Sequence, residues 1–223
     1  MLSDVELGAL VAAEAAGTVG AFDAREETAG VAWALKRAPG VDVLVFRGSV
    51  TLEDWWRDLT SEAGRSLRGY PQLGLVPLGF GEGVVEAYHA AAVLLRPDVP
   101  LALPAHSLGC AHAAALAGLH VAHGRPVGRL LLLAPPRPGT AALAGLLAGV
   151  PTRQLRNRGD PVPGVPVPVP GLWPWRHLAA PFDAIDEAPA ADDPDLVFRA
   201  HHLPLYLAGL AKLDALPAPA AAV

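Results

Sequence analysis

One cysteine, Cys110, stands among 223 residues, so no intramolecular disulfide can form and the fold must hold without a covalent staple. Such usage fits a reducing compartment, and a cytoplasmic location is the expectation. Basic blocks are also missing. The formal net charge is −5, and the seventeen basic residues, fifteen of them Arg, are scattered. Without a phosphate footprint, a nucleic-acid partner is not expected. The longest apolar stretches, such as Leu130–Pro136, fall far short of the ~20 residues that span a bilayer. The N-terminus carries Asp4 and Glu6 rather than Lys or Arg before an apolar run, so no secretory signal is visible in it. Aromatics make up only 6% and charged residues 17%, yet 52% of the chain is apolar, mostly Ala, Leu and Val. That apolar share, with a mean hydropathy of +0.33, supports an ordinary core and excludes global disorder.

Turn formers are abundant, with 23 Gly and 23 Pro. Between them, apolar segments alternate with amphipathic ones. Ser3-Asp4-Val5-Glu6 reads as a capping box opening a helix to about Ala15. Ala29–Ala34 suits a short strand or turn, and Val41–Phe46 a buried strand. Leu52–Leu59 reads as helical and Gly64–Gly81 as a loop. A helix over Gly83–Leu95 precedes a strand at Val99–Pro104, an Ala-rich helix over His106–His123 and a strand at Arg129–Ala134. A short helix near Thr140–Leu147, a strand at Thr152–Asn157, a stiff Pro/Val stretch over Asp160–Gly171 and a helix at Leu203–Leu213 complete the pattern. Buried strands alternating with helices predict an α/β fold: a mostly parallel sheet with helices on both faces. One compact domain over 1–215 is expected, followed by a frayed tail at 216–223.

Chemistry concentrates first at Ala105-His106-Ser107-Leu108-Gly109, with a strand before it and a helix after it. A Ser on a sharp strand-to-helix turn presents its hydroxyl above the sheet edge. The N–H of the next residue, Leu108, then faces a developing oxyanion at the positive end of the helix. Small flanking residues are required because strand and helix backbones approach closely, and Ala105 and Gly109 meet that need. The plainer alternative is a Ser serving only as a helix N-cap.

Further motifs follow in order. Val45-Phe46-Arg47-Gly48-Ser49 with Asp54-Trp55 and Asp58-Leu59 resembles the Phe-Arg-Gly-Thr/Ser … Asp-Trp … Asp-Leu pattern of class 3 lipases, α/β-hydrolases related to fungal triacylglycerol lipases. The Ser107 pentapeptide is similar to their Gly-His-Ser-Leu-Gly. Leu133-Ala134-Pro135-Pro136-Arg137-Pro138-Gly139 resembles their Phe-Gly-x-Pro-Arg-x-Gly. Asn157-Arg158-Gly159-Asp160-Pro161-Val162-Pro163 resembles their Asn-x-x-Asp-x-Val-Pro, and His201 with Tyr206 looks like their closing His and helical Tyr. Departures exist: Cys110 replaces a second Gly, Leu133-Ala134 replaces Phe-Gly, and Val76-Pro77-Leu78-Gly79-Phe80 lacks the His of Val-His-x-Gly-Phe.

The resemblance implies an α/β-hydrolase fold and a serine ester hydrolase of lipase or esterase type. Its triad would be Ser107, Asp160 and His201, in the order Ser, acid, His expected of such folds. His202 competes with His201, which the spacing to Tyr206 favours. Asp183, Asp186, Asp192, Asp193 and Asp195 are rival acids that read as solvated surface. The second oxyanion donor would be Ser49, beside Leu108. The substrate would be a small-molecule or lipid ester, with transient contact to a lipid surface. A thioesterase, amidase or peptidase could use the same triad, and a non-catalytic module could keep the fold. His106 is expected to pack or bond locally and Cys110 to pack. His120/His123 read as a polar helix face rather than metal ligands, and no cofactor or metal is expected. Trp55 and Trp56 invite a lid or a packing role; Trp173 and Trp175 suit a pocket wall or a packed loop.

Overall fold

The computed structural model describes residues 2–47, 64–189 and 198–215. The expected helix at Leu52–Leu59 with Trp55 and Trp56, the acids Asp192, Asp193 and Asp195, and the tail at 216–223 lie outside the described residues. Helix α1 (Asp4–Ala15) opens with the capping box: Ser3 Oγ accepts from the Glu6 N–H, and Glu6 Oε2 accepts from the Ser3 N–H. Strands β1 (Ala24–Thr28) and β2 (Val31–Ala38) form an antiparallel hairpin where only one short strand or turn was expected. The two-residue turn Ala29-Gly30 takes positive φ at both positions, the geometry that matches strand twist. The charged Ala24–Thr28 segment carries no apolar alternation because it is an edge strand, where charge blocks unwanted pairing.

Strand β3 (Val41–Phe46) is wholly buried, as its apolar run requires. The Gly64–Gly81 stretch is not a loop. It holds a small hairpin of β4 (Gly64–Ser66) and β5 (Leu75–Pro77) and the short helix α2 (Leu78–Gly81). Then come α3 (Val84–Ala92), β6 (Leu101–His106), α4 (Leu108–Ala122), β7 (Val127–Leu133), α5 (Ala141–Leu146) and β8 (Thr152–Asn157). Strand β9 (Phe182–Ile185) and helix α6 (Leu203–Ala215) close the described chain. Strand β9 was not anticipated, since its four residues include Asp183 and only Ile185 is buried.

The seven-stranded sheet has the order β1-β2-β3-β6-β7-β8-β9. From β3 onward neighbours are parallel, and β1 and β2 add an antiparallel edge. Side-chain alternation splits the core between two faces. Leu44, Phe46, Leu101, Leu103, Leu130 and Leu132 point toward α3, α4 and α5. Val43, Val45, Ala102, Leu131 and Leu133 point toward α1 and α6, where Leu7, Val11, Tyr206 and Leu210 meet them. The architecture is a single-domain α/β-hydrolase fold. Among the described residues no helix is long and apolar enough to cross a membrane.

Candidate active site

Three strand ends and one loop converge at the carboxyl edge of the sheet, where open α/β sheets place their chemistry. Strand β6 runs two residues further than its apolar run suggested, so His106 closes the strand and Ser107 occupies the turn into α4. Ser107 holds φ 59° and ψ −132°, a left-handed conformation that L-residues adopt only when their surroundings impose it. The Ser107 N–H donates to the Leu133 carbonyl at 3.0 Å and its own carbonyl accepts from the Cys110 N–H at 2.9 Å. Gly109 is required by the close approach of α4 to β3: a Cβ there would lie 2.8 Å from the Phe46 carbonyl oxygen. Leu108 begins α4, and its N–H, at the first position of the helix, has no intrahelical acceptor. Its side chain packs against Phe80, Ala111, Val162, Val165 and Phe198.

Ser107 Oγ lies 2.8 Å from His201 Nε2, and His201 Nδ1 lies 2.8 Å from Asp160 Oδ2. All three residues are buried. His201, and not His202, makes both bonds. Its Nδ1–H donates to the carboxylate, which leaves Nε2 free to accept from the Ser107 hydroxyl. Asp160 follows the end of β8, and its remaining oxygen, Oδ1, accepts from the Val162 N–H at 2.9 Å. Asp183 and Asp186 are engaged elsewhere, Asp183 in a half-buried ion pair with Arg153 and Asp186 in an exposed one with Arg158. Ser49 lies outside the described residues.

Four further side chains build the site, and of these the motifs suggest a bond only for His106, and only a local one. The Tyr206 hydroxyl, on α6, donates to Asp160 Oδ2 and accepts from the Asn157 N–H at 3.0 Å. Burial first, and the Asp160 charge second, push its pKa up, so it stays a donor. Asn157 Nδ2 donates to the Ala200 and Glu187 carbonyls, which ties the segment bearing His201 to the end of β8. Arg137 donates to the carbonyls of Gly164 and Pro166 and so fixes the loop that follows the acid. His106 does more than bond locally. Its ring stacks on His201 at 4.7 Å, and its Nε2–H donates to the His201 carbonyl 95 residues away. Burial, reinforced by the His201 ring beside it, holds His106 well below the ordinary histidine range, so it is neutral.

Cys110 packs as expected: its thiol faces the Leu133 carbonyl, and burial pushes its pKa up. Ala134, which stands where the family pattern has Gly, adopts φ 57° and therefore carries the strain a Gly would avoid. His123 bonds to Tyr70 and His120 is buried against Tyr88, an aromatic cluster at the opposite end of α4 from Ser107.

A hydroxyl, an imidazole of fixed tautomer and a buried carboxylate in one hydrogen-bonded line equip the site for acyl transfer. A family model described as "Lipase (class 3)" matches residues 43–169, more than half of the chain. No curated protein sequence gives a significant match. Among solved structures, the chain is similar to the Rhizomucor miehei triacylglyceride lipase, at 20% identity over 91% of each chain with a TM-score of 0.65. The triacylglycerol lipase of Penicillium expansum matches at 20% identity over 89% of this chain and 80% of its own, with a TM-score of 0.59. The lipase of Rhizopus microsporus var. chinensis matches at 19% identity over 84% and 75%, with a TM-score of 0.60. At these identities the structural likenesses establish the fold, and the family match carries the rest. The chain belongs to the class 3 lipase family, as a serine hydrolase of carboxylic esters.

Proposed function

We propose that the protein hydrolyses lipid esters with Ser107 as nucleophile, His201 as general base and then acid, and Asp160 as the carboxylate that orients the imidazole. Ser107 Oγ attacks the ester carbonyl carbon as His201 Nε2 takes its proton. The resulting imidazolium is stabilised by Asp160. The oxyanion is received by the Leu108 N–H at the start of α4 and, on the sequence resemblance, by Ser49. Collapse expels the alcohol, which takes its proton from His201 and leaves an acyl-enzyme. Water, deprotonated by His201, then releases the acid and restores Ser107.

The observation that carries this reading is the unbroken line of hydrogen bonds Ser107–His201–Asp160. Transient contact with a lipid surface belongs to the same proposal, as does one catalytic domain over 1–215. The lone cysteine supports a cytoplasmic setting, and the acidic net charge speaks against nucleic acid.

The test is labelling with a serine-directed phosphonate and turnover of p-nitrophenyl esters of rising chain length, beside acyl thioesters and anilides. Ser107→Ala should abolish labelling and lower ester turnover by about 10⁴-fold or more. Turnover confined to anilides or thioesters, or labelling that persists in Ser107→Ala, would refute the proposal.

A further inference from the structure

We propose that the loop between Asp160 and Arg176 is the element that docks the enzyme on a lipid surface, with Val167, Leu172 and Trp173 entering the interfacial layer. The inference rests on the ester-hydrolase reading of the Ser107 site. Residues 161–175 contain no charged, hydroxyl or amide side chain; the two indole N–H groups are their only side-chain donors. Val167 and Leu172 each leave 65% of their surface exposed, and Trp173 is half-buried. Large apolar side chains held in water at a loop tip point to a partner that removes them from it.

Backbone chemistry says which partner. An apolar medium penalises every free N–H, because it offers no acceptor. Six of the sixteen residues from Pro161 to Arg176 are Pro and have no N–H at all. Of the ten N–H groups that remain, eight already donate. Those of Val162, Gly164, Val165, Val169, Leu172, Trp173 and Trp175 find acceptors between Asp160 and Trp173, and that of Arg176 uses the Gly139 carbonyl. Docking on another protein would not demand this, since a protein surface supplies acceptors of its own.

The loop is also held in shape before it docks. Trp173 and Trp175 stack with ring centroids 5.8 Å apart, and Trp175 is buried against Gly64, where a Cβ would come within 2.4 Å of the indole. Arg137 holds the carbonyls of Gly164 and Pro166. Little ordering entropy is therefore left to lose on insertion. At the loop's root, Val162 and Val165 pack with Leu108, the residue after the nucleophile. Val167 follows Val165 by two residues, so their Cα atoms lie within about 7 Å. Docking through this tip brings the lipid surface to the edge of the Ser107 site.

The experiment measures partition of the full chain onto phosphatidylcholine vesicles by sedimentation, with quenching of tryptophan by brominated lipid. Wild type should bind with little dependence on salt, because the tip is uncharged. Leu172→Asp and Val167→Asp should each lower partition about tenfold or more. Hydrolysis of emulsified triglyceride should fall in step, with an unchanged melting temperature and unchanged kcat/KM on soluble p-nitrophenyl butyrate. Trp173→Phe should remove most of the lipid-dependent quenching. Partition equal to wild type in both Asp variants overturns the proposal. So does an effect of these variants on self-association, read by light scattering, without one on vesicles. Binding is read without turnover, so a protein that binds vesicles but hydrolyses no ester refutes the catalytic reading alone.

Discussion

Replacing Tyr206 by Phe removes one oxygen atom and tests how the acid of the triad is held. The hydroxyl does two things at once. It donates to Asp160 Oδ2, and it accepts from the N–H of Asn157, a residue with no exposed surface. A hydrogen bond to an ionised group contributes about 1.5–3 kcal/mol, and a buried N–H left without an acceptor costs about 1–3 kcal/mol. The two effects share one atom, so the net loss should be about 3–4 kcal/mol. In a chain of this length that is a fall in melting temperature of about 6–16 °C. Catalysis should suffer less than on loss of the carboxylate, because Asp160 keeps the Val162 N–H and the His201 ring. A tenfold fall in kcat is expected, roughly, with KM for p-nitrophenyl butyrate unchanged, whereas Asp160→Asn should cost about 10⁴-fold. Urea titration reads the first quantity and steady-state kinetics the second. In the Asp160→Asn background, Tyr206→Phe should cost clearly less stability, since the charged acceptor is gone. Equal stability costs in the two backgrounds, or a stability loss with kcat untouched, would refute the claim that the hydroxyl acts through Asp160.

His106→Phe keeps a ring against His201 but deletes the donor to its carbonyl; kcat should fall about tenfold at constant KM, and a wild-type kcat in His106→Ala would remove its positioning role. Gly109→Ala forces a Cβ to 2.8 Å from the Phe46 carbonyl, so α4 must lift from β3 and carry Ser107 with it. About 1–3 kcal/mol of stability and about 10²-fold in kcat should be lost, read by the same two assays. His112, buried with its ring edge toward Phe46, has its pKa lowered by burial from 6.5 to about 4. Between those values the unfolded chain binds the extra proton, so stability contributed at neutral pH is lost as pH falls from about 6.5 toward 4. From pH 7 to pH 5 the loss is about 2 kcal/mol. His112→Leu should escape it, so urea titrations at the two pH values should show its stability relative to wild type rising by that amount on acidification; parallel losses would refute the assignment.

Ordered motifs made the triad legible, because the chemistry demands fixed residue types at fixed offsets from strand ends. The motifs point to Ser107, Asp160 and His201 without any contact, and the spacing to Tyr206 favours His201 over His202. Strands β3 and β7 and helix α4 were equally plain, since a strand or helix covered by other elements must be largely apolar, whereas β8 has Leu155 as its one apolar residue. The sequence carried no comparable sign of β1 or β9. Strand β1 is polar and β9 only four residues long, and the pairing of an edge strand exists only once a neighbouring strand is in place. The hairpin hidden in Gly64–Gly81 is too short to show a period. What the amino-acid order determined by itself was therefore the buried framework and the reacting groups, each specified locally by patterning or by a motif. What only the tertiary structure decided was how those groups are held: His106 bonded to a carbonyl 95 residues on, Tyr206 to Asp160 across 46, Arg137 to a loop 27 away. Those bonds join residues distant in the chain, and no local pattern encodes a contact that only the closed sheet brings within reach.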